Sequence, residues 1–293
     1  TRIIIIMHAS GQLINVNSLV LERAGIDAST EVQGALKDNH GNPTGELISM
    51  VTHYMIHKVA GTPFFSSMDA RGLRRFAAAA CNVGVTTATD LAARFDEATL
   101  QAYCEVTAED DFRLRIAPAM RIQELPIPEG IAQMRELQQS NSDKLHFGLC
   151  KIISDGSIQG FTARLKWPGY YNGSPEGAWY ISPESLEKMI DAYHAEGMHL
   201  HIHTNGDEAT EVTIGAIESA LKRNPRADHR HTLQHCQMAE EAHFRRMGKL
   251  GICANLFANH IFYWGDQHVE QTMGPDRAAR MDATATANRQ GVN

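Results

Sequence analysis

The sequence lacks the long apolar run that a membrane span requires. No segment approaches the ~20 consecutive apolar residues of a transmembrane helix, and the apolar stretch at the start, Ile3–Met7, is far too short. The sequence also shows no n-region and no small-residue cleavage site of the secretory kind. We therefore expect no membrane partner and no targeting segment.

An excess of positive charge is also missing. Lys and Arg together number 27 against 34 Asp and Glu, so the formal net charge is −7. Nucleic-acid grooves depend on clustered positive charge, and we therefore expect no nucleic-acid partner. Hydrophobic residues make up 43% and charged residues 21% of the 293 residues, which supports a sizeable core and excludes general disorder.

Cysteine is scarce and histidine is abundant. The five cysteines are odd in number and never form a CxxC pair, so we expect reduced thiols and a cytoplasmic location. The 15 histidines, by contrast, cluster in the second half of the chain. Histidine is the side chain that most often binds metals or transfers protons near neutral pH.

Apolar segments and helical patterns alternate from about residue 80 onward. Strand ends recur roughly every 30 residues, the length of one βα unit, and such a series predicts a parallel sheet, either doubly wound or part of a (β/α)8 barrel. Residues 1–65 predict a small α+β segment, and residues 66–293 the barrel-like part. The predicted strands are 84–90, 112–120, 145–154, 199–204, 230–236 and 251–256, and the predicted helices are 96–108, 128–139, 183–196, 208–223 and 239–250.

The N-terminal segment is predicted in less detail. We expect a strand at Ile3–Met7, a helix around Asn17–Ala24, a turn-rich stretch over Lys37–Gly45 and a helix from about Glu46 to Val59. Thr62-Pro63 then breaks the helical pattern.

Polar side chains recur where the predicted strands end. Lys151 lies in one strand, His201 and His203 in the next, and His231 and His235 in the one after. Reacting groups of parallel βα proteins lie at the carboxyl ends of strands, so a lysine and two histidines converge there. Imidazole binds zinc and similar ions. Lysine becomes a ligand once CO2 has converted its amine to an anionic carbamate.

These segments resemble the amidohydrolase superfamily and, within it, the amidohydrolase 3 (YtcJ-like) group. The resemblance covers nearly the whole chain, because six motifs occur in the order of the family. They are HASGQLINVNSLVLERAGI (8–26), GNPTGEL (41–47), GVTTATD (84–90), KIISDGS (151–157), HIHTNGD (201–207) and LQHCQ (233–237).

The resemblance implies a (β/α)8 TIM-barrel metallohydrolase that hydrolyses the C–N bond of a small amide with a metal-activated water. Its motifs imply Lys151, as a carboxylated lysine, together with His203 and His235, as ligands of one or two divalent ions, of which zinc is the first candidate. His201-Ile-His203 also resembles the first-strand His-x-His pair of the family. Three βα strands precede it, however, and the first strand of the family has no counterpart in this sequence. We therefore take it as the fifth strand, with His203 as the ligand.

Two family features are not found in this sequence. The first-strand His-x-His and the eighth-strand aspartate, which is both a ligand and the general base, have no counterpart, so we expect about six of the eight βα units and a longer parent protein. Two alternatives stay open. One is a non-catalytic fragment or binding protein, and the other is a metal-independent α/β enzyme with histidine acid–base chemistry. A homo-oligomer is compatible with the sequence.

Other residues near the strand ends are weaker candidates. Asp207 is expected either to cap a helix or to act in catalysis. Asp155 is expected either to form a turn or to orient a ligand, and it is the second candidate catalytic residue. His260 follows the last strand and is a candidate substrate contact. The aromatic loop 156–180 is predicted either to pack or to cover the substrate, with Tyr170 and Trp179 as candidate contacts.

Overall fold

The computed structural model describes residues 2–8, 13–32, 34–48, 55–56, 59 and 69–293. By its internal contacts the chain divides into two compact units, Thr1–Ser66 and Ser67–Asn293. None of the helices in the described part of the chain is both long and apolar enough to cross a bilayer.

Up to residue 48, the described part of the first unit contains a four-stranded antiparallel sheet and the helix α1. In sheet order β1-β2-β4-β3, each neighbouring pair is antiparallel, and Ile14 and Leu47 are fully buried in its core. The predicted helix from Glu46 is wrong at its start, because Glu46–Ile48 belong to β4; most of its remaining residues lie outside the described ones. The elements are β1 (Ile5–Met7), β2 (Leu13–Val16), α1 (Ser18–Ala24), β3 (Ala35–Lys37) and β4 (Pro43–Ile48).

The second unit is built on parallel strands that follow the chain order. A short parallel pair, β5 with β6, precedes a five-stranded parallel sheet in the order β7-β8-β9-β10-β11. This arrangement confirms the predicted α/β class with a parallel sheet. The strands are β5 (Thr87–Ala88), β6 (Arg115–Ile116), β7 (Ala119–Arg121), β8 (Leu149–Ile153), β9 (His199–Thr204), β10 (Thr232–His235) and β11 (Cys253–Leu256).

Helices separate these strands. The five predicted helices, α3 to α7 in the list below, are confirmed to within two residues at each end, and Ser182 caps the third of them by accepting a hydrogen bond from the Ser185 N–H. The helices are α2 (Ala70–Asn82), α3 (Glu97–Thr107), α4 (Ile127–Leu137), α5 (Pro183–Ala195), α6 (Asp207–Arg223), α7 (Glu241–Leu250), α8 (Asn259–Gln267), α9 (Gly274–Ala278) and α10 (Thr284–Arg289).

Two parts of the sequence prediction need correction. The single strand expected over 112–120 is interrupted before Ala119, because Pro118 has no N–H to donate to a neighbouring strand. The helices α2, α8, α9 and α10 were not predicted. α2 is capped by the Asp69 carboxylate, which accepts the Gly72 N–H.

The two faces of the five-stranded sheet differ sharply in polarity. Alternate residues such as Cys150, Leu200 and Leu233 are fully buried in the apolar core that contains the helices. The register places polar residues side by side on the opposite face, which is the face that carries the candidate site. They are Arg121, Lys151 and His201 in one layer and His203, Gln234 and Asn255 in the next.

Buried histidines near the amino ends of β9 and β10 form a series of linked hydrogen bonds. The Leu200 N–H donates to His231 Nδ1 (3.2 Å), so the proton of that ring is on Nε2, which donates to His194 Nδ1 (2.8 Å). His194 Nε2–H then donates to the Asn224 carbonyl (2.7 Å). This series of hydrogen bonds requires both rings to be neutral. Burial lowers the pKa of His194 and, with the nearby His229, lowers that of His231 to about 2.

The loop 156–180 packs into a small apolar cluster that is separate from the main core. Its backbone joins the π-helical turn His268–Thr272, because Tyr171 N donates to Thr272 O (2.8 Å) and Asn172 N to Gln271 O (3.1 Å). The segment that follows β8 is therefore ordered around a small core that it shares with three methionines from later in the chain. The buried members of the cluster are Ile158, Ala163, Leu165, Tyr170, Met238, Met273 and Met281.

Neutral buried histidines predict a loss of stability in mild acid. Below the ordinary histidine pKa of about 6.5 the unfolded chain takes up protons that folded His194 and His231 do not. The free energy of unfolding then falls by up to about 1.4 kcal/mol per pH unit for each ring. Urea unfolding between about pH 7.5 and about pH 5.5 measures this slope. His231→Gln should flatten it, whereas His40→Gln, at an exposed histidine, should not; equal slopes in all three proteins would contradict the prediction.

Gly206 lies so close to the backbone of the loop 156–180 that a side chain does not fit there. A Cβ on this residue would lie 1.7 Å from the Arg164 carbonyl oxygen, so Gly206→Ala must displace backbone. We expect it to lower the free energy of unfolding by about 1–3 kcal/mol. Gly215→Ala is the control, because nothing lies within 4 Å of its added Cβ inside α6. That change should raise stability by up to about 1 kcal/mol, and similar urea midpoints for the two variants would refute the expectation.

Candidate metal centre

Lys151 is the buried amine of the candidate site. It lies in the middle of β8, on the polar face of the sheet, and is only 4% exposed. Burial, reinforced by the positive charge of Arg121, lowers the pKa of Lys151 to about 7. A substantial neutral fraction therefore exists near neutral pH, and the neutral amine is the form that reacts with CO2 to give a carbamate.

His203 lies at the end of β9 with one of its nitrogens already engaged. Its Nε2 is 2.9 Å from the Gly156 carbonyl oxygen, which can only accept, so the proton of the ring is on Nε2. Asn205 Nδ2 and Asp155 Oδ1 lie 3.1 Å and 3.7 Å from the same nitrogen. Burial, together with the charge of Lys151, lowers the pKa of His203 to about 3, so the ring is neutral and Nδ1 keeps its lone pair.

The His235 ring lies beside the His203 ring because the backbone at His235 departs from strand geometry. In the ladder His203 pairs with Gln234 and His235 with Thr204, so strict alternation would direct His235 to the other face of the sheet. His235 instead has a left-handed backbone (φ 73°), as does Cys236 (φ 48°). The His235 ring then lies 4.6 Å from the His203 ring, centroid to centroid. Such backbone strain, about 1–3 kcal/mol for each residue, is typical of functional sites.

His201 occupies a deeper position than His203. It pairs with Lys151 and Thr232 in the ladder, one layer below His203. Its Nδ1 accepts a hydrogen bond from Gln234 Nε2 (2.7 Å), whereas its Nε2 is buried without a partner. The expected core or supporting role of His201, with His203 as the ligand, stays a prediction that agrees with this placement.

The donors present can hold a divalent ion if Lys151 is one of them. Burial and the charges of His203 and Lys151 hold the pKa of His235 well below its ordinary value, so both imidazoles are neutral. His235 Nδ1 is buried without a hydrogen bond. Among the described residues, no three His, Cys, Asp or Glu side chains form a group that could hold a metal ion. A site here would need a donor of another type, and Lys151 as a carbamate would supply the anionic oxygen that a hard or borderline cation prefers; this role of Lys151 stays a prediction.

Asp155 is fully buried and binds backbone rather than pointing into open space. Its carboxylate accepts hydrogen bonds from the N–H groups of Arg164 (3.0 Å), Asn205 (3.0 Å) and Gly206 (2.8 Å). Burial raises the pKa of Asp155 to about 7, and these hydrogen bonds oppose the rise. These contacts favour the expectation that Asp155 orients ligand-bearing segments over a direct catalytic role.

Asp207 is likewise engaged by the backbone. The helix N-cap is Gly206, so the predicted capping role of Asp207 is wrong; Asp207 is the first helical residue. Its Oδ1 accepts the N–H of Lys166 (2.9 Å) and of Glu208 (3.0 Å). The contact with Lys166 attaches the loop to the start of α6.

The two aromatic candidates in the loop differ in what they offer a ligand. Tyr170 is 3% exposed, packs against the Phe161 ring at a tilted angle and donates its hydroxyl to the Ala163 carbonyl (3.1 Å), so its polar atom is used inside the loop. Trp179 is half-buried beneath the Arg164 guanidinium, 6.0 Å from the ring centroid. Substrate contact by either ring stays a prediction.

His260 lies beside the candidate ligands. Its ring is 5.7 Å from His235 and 4.8 Å from Phe257, centroid to centroid, and it is 6% exposed. Its Nδ1 faces Asp282 Oδ2 at 3.5 Å. Sequence analysis did not single out Asp282, because it follows a short helix in a turn, where no strand-end pattern marks it.

Comparison with known proteins places the chain in a family. The sequence profile of the amidohydrolase family, Amidohydro_3, matches residues 1–293. The chain is 27% identical over 288 residues to the protein named amidohydrolase YtcJ of Bacillus subtilis (strain 168), covering 95% of this chain and 52% of that protein. It is also 27% identical over 297 residues to Protein LONG AFTER FAR-RED 3 of Arabidopsis thaliana, covering 94% and 48%.

Solved structures share the fold. An uncharacterized metal-dependent hydrolase from Pyrococcus horikoshii OT3 superposes with a TM-score of 0.65 at 17% identity, covering 93% of this chain and 52% of that one. One from Pyrococcus furiosus gives 0.65 at 15% identity, covering 97% and 57%. The chain thus spans about half the length of the relatives it matches. Since the family profile matches along all 293 residues, the chain belongs to the amidohydrolase family.

Proposed function

We propose that the protein is a metal-dependent hydrolase that cleaves the C–N bond of a small, non-peptide amide. The observation that carries this proposal is the contact of the His203 and His235 rings at the carboxyl ends of β9 and β10, with Lys151 of β8 near enough for its charge to lower the pKa of both rings. We further propose that the parallel strands belong to an eight-stranded (β/α)8 barrel, the arrangement in which strand ends from several units surround one site.

Each residue has a separate part in the proposed chemistry. A divalent ion, zinc being our first choice, would polarise the scissile carbonyl and lower the pKa of a bound water towards ~7. Lys151, as its carbamate, His203 through Nδ1, and His235 would hold that ion. The Nε2–H of His203 donates to the Gly156 carbonyl, which fixes the ring orientation and its proton. The loop 156–180 would limit the access of bulk water.

A non-catalytic binding protein with the same fold is the second candidate. It is favoured by one observation: no third His, Cys, Asp or Glu ligand joins the pair of histidines among the residues that the structure describes. Metal content and hydrolysis separate the two candidates, because a binding protein would retain ligand without turnover.

The first test is the metal content of Lys151→Ala after equilibration with zinc, manganese or iron. We expect affinity to fall at least about 10-fold, with partial recovery on adding a short carboxylic acid that replaces the carbamate oxygen. Lys188→Ala, at an exposed lysine of α5, should keep the metal content of the unmodified protein. Unchanged metal in Lys151→Ala would refute the carbamate proposal.

A second comparison distinguishes His203 from His201, which lies two residues earlier in β9. His203→Asn should lose metal, whereas His201→Asn, one layer deeper, should retain it. Hydrolysis of a panel of N-acyl anilides and other small amides should stop when a chelator removes the metal. Activity that survives complete metal removal would favour a metal-independent enzyme with histidine acid–base chemistry.

A further inference from the structure

Asp282 is a buried carboxylate without a well-formed hydrogen bond. Its side chain is fully shielded from solvent, and the nearest donors among the described residues, His260 and the Phe257 backbone, do not reach good hydrogen-bond geometry with its oxygens. Its backbone is held firmly in the left-handed region (φ 47°), because its N–H donates to Gln237 O (3.0 Å) and its carbonyl accepts from Thr284 N (2.7 Å). A buried, unpaired carboxylate on a left-handed backbone destabilises the fold, and residues of this kind cluster at functional sites.

The group that faces Asp282 is the imidazole of His260. Nδ1 of His260 is 3.5 Å from Asp282 Oδ2 and is itself buried without a hydrogen bond. The Phe257 backbone also approaches the carboxylate. Burial raises the pKa of Asp282, and His260 opposes that rise. A buried acceptor and a buried imidazole nitrogen thus face each other just outside hydrogen-bond distance, as carboxylate–histidine pairs often do before substrate arrives.

The second nitrogen of His260 is available to a ligand. Among the described residues, the ring faces Asp282 through Nδ1, it contacts the rings of His235 and Phe257, and no hydrogen bond engages Nε2. Unlike Nδ1, Nε2 is not among the fully buried atoms that lack a partner, although the His260 side chain as a whole is only 7% exposed. The ring lies next to His235, one of the proposed metal ligands.

We infer that Asp282 is a positioning residue for His260. Its carboxylate accepts the Nδ1–H of the ring, which leaves Nε2 unprotonated and able to accept a hydrogen bond from the N–H of an amide substrate. This inference rests on the proposed hydrolase function and adds to it a substrate class, amides that carry an N–H at the scissile bond. No covalent step is involved, because His260 only accepts a hydrogen bond.

The tautomer of His260 tests the pairing without any need for activity. In protein labelled with ¹⁵N at histidine, two-bond ¹H–¹⁵N spectra should show His260 protonated at Nδ1. Asp282→Ala should shift it to the Nε2–H form, whereas Asp282→Asn, whose amide oxygen still accepts, should retain the Nδ1–H form. An Nε2–H ring in the unmodified protein, or an unchanged ring in Asp282→Ala, would overturn the inference.

Kinetics on an amide that the protein turns over tests the role in the reaction. Asp282→Ala and His260→Ala should each lower kcat/KM by about 10- to 100-fold without loss of metal, and the double variant should be no worse than either single one, since the two residues act as a unit. Asp282→Asn should recover most of the activity, which would show that the loss in Asp282→Ala is not caused by misfolding. Asp228→Ala is the control, because its side chain is 72% exposed and forms its ion pair, within the described residues, with the exposed Arg230.

Additive effects of the two alanine variants, or lost metal in both, would show that His260 and Asp282 have only a structural role. If the protein binds no metal and hydrolyses no amide, the proposed function fails. The tautomer spectra still report on the pairing in that case, so the two failures are distinguishable.

Discussion

The carboxylate of Asp155 is the contact on which the geometry of the candidate site depends. It is fully buried and accepts three backbone N–H groups, one from the loop after β8 and two from the turn between β9 and α6. A charged acceptor holds such N–H groups more tightly than a neutral one. The end of β8, the aromatic loop and the start of α6 are thereby fixed to one another, and His203 lies between them with its Nε2 on the Gly156 carbonyl.

Histidine serves two different purposes at the two ends of the same strands. At one end His231 and His194 form a chain of hydrogen bonds that fixes both tautomers and links β9, β10 and the helices behind them. At the other end His203 and His235 keep lone pairs that the protein does not use. Burial keeps all four rings neutral, and a neutral ring is required both for a directional hydrogen-bond chain and for binding a cation.

Much of the fold could be predicted from the sequence, because local patterns and local structure agree there. The Ser182-Pro183 start of α5 follows from capping and from the fixed φ of proline. The strand also divides near Pro118 for a local reason, because proline has no N–H to donate. The continuous apolar pattern on either side nevertheless predicted a single strand. The helices α8 to α10 were missed because short, half-exposed helices have no clear apolar periodicity.

The sequence by itself determined the alternation of strands and helices, the family motifs and the candidate donors Lys151, His203 and His235. These depend on residue type and spacing, which a single chain displays directly. Only the tertiary structure decided that His235 turns against strand alternation, that Asp155 binds backbone and that Asp282 faces His260. A left-handed φ and a contact across 22 residues depend on packing between distant segments, and no local pattern encodes that packing.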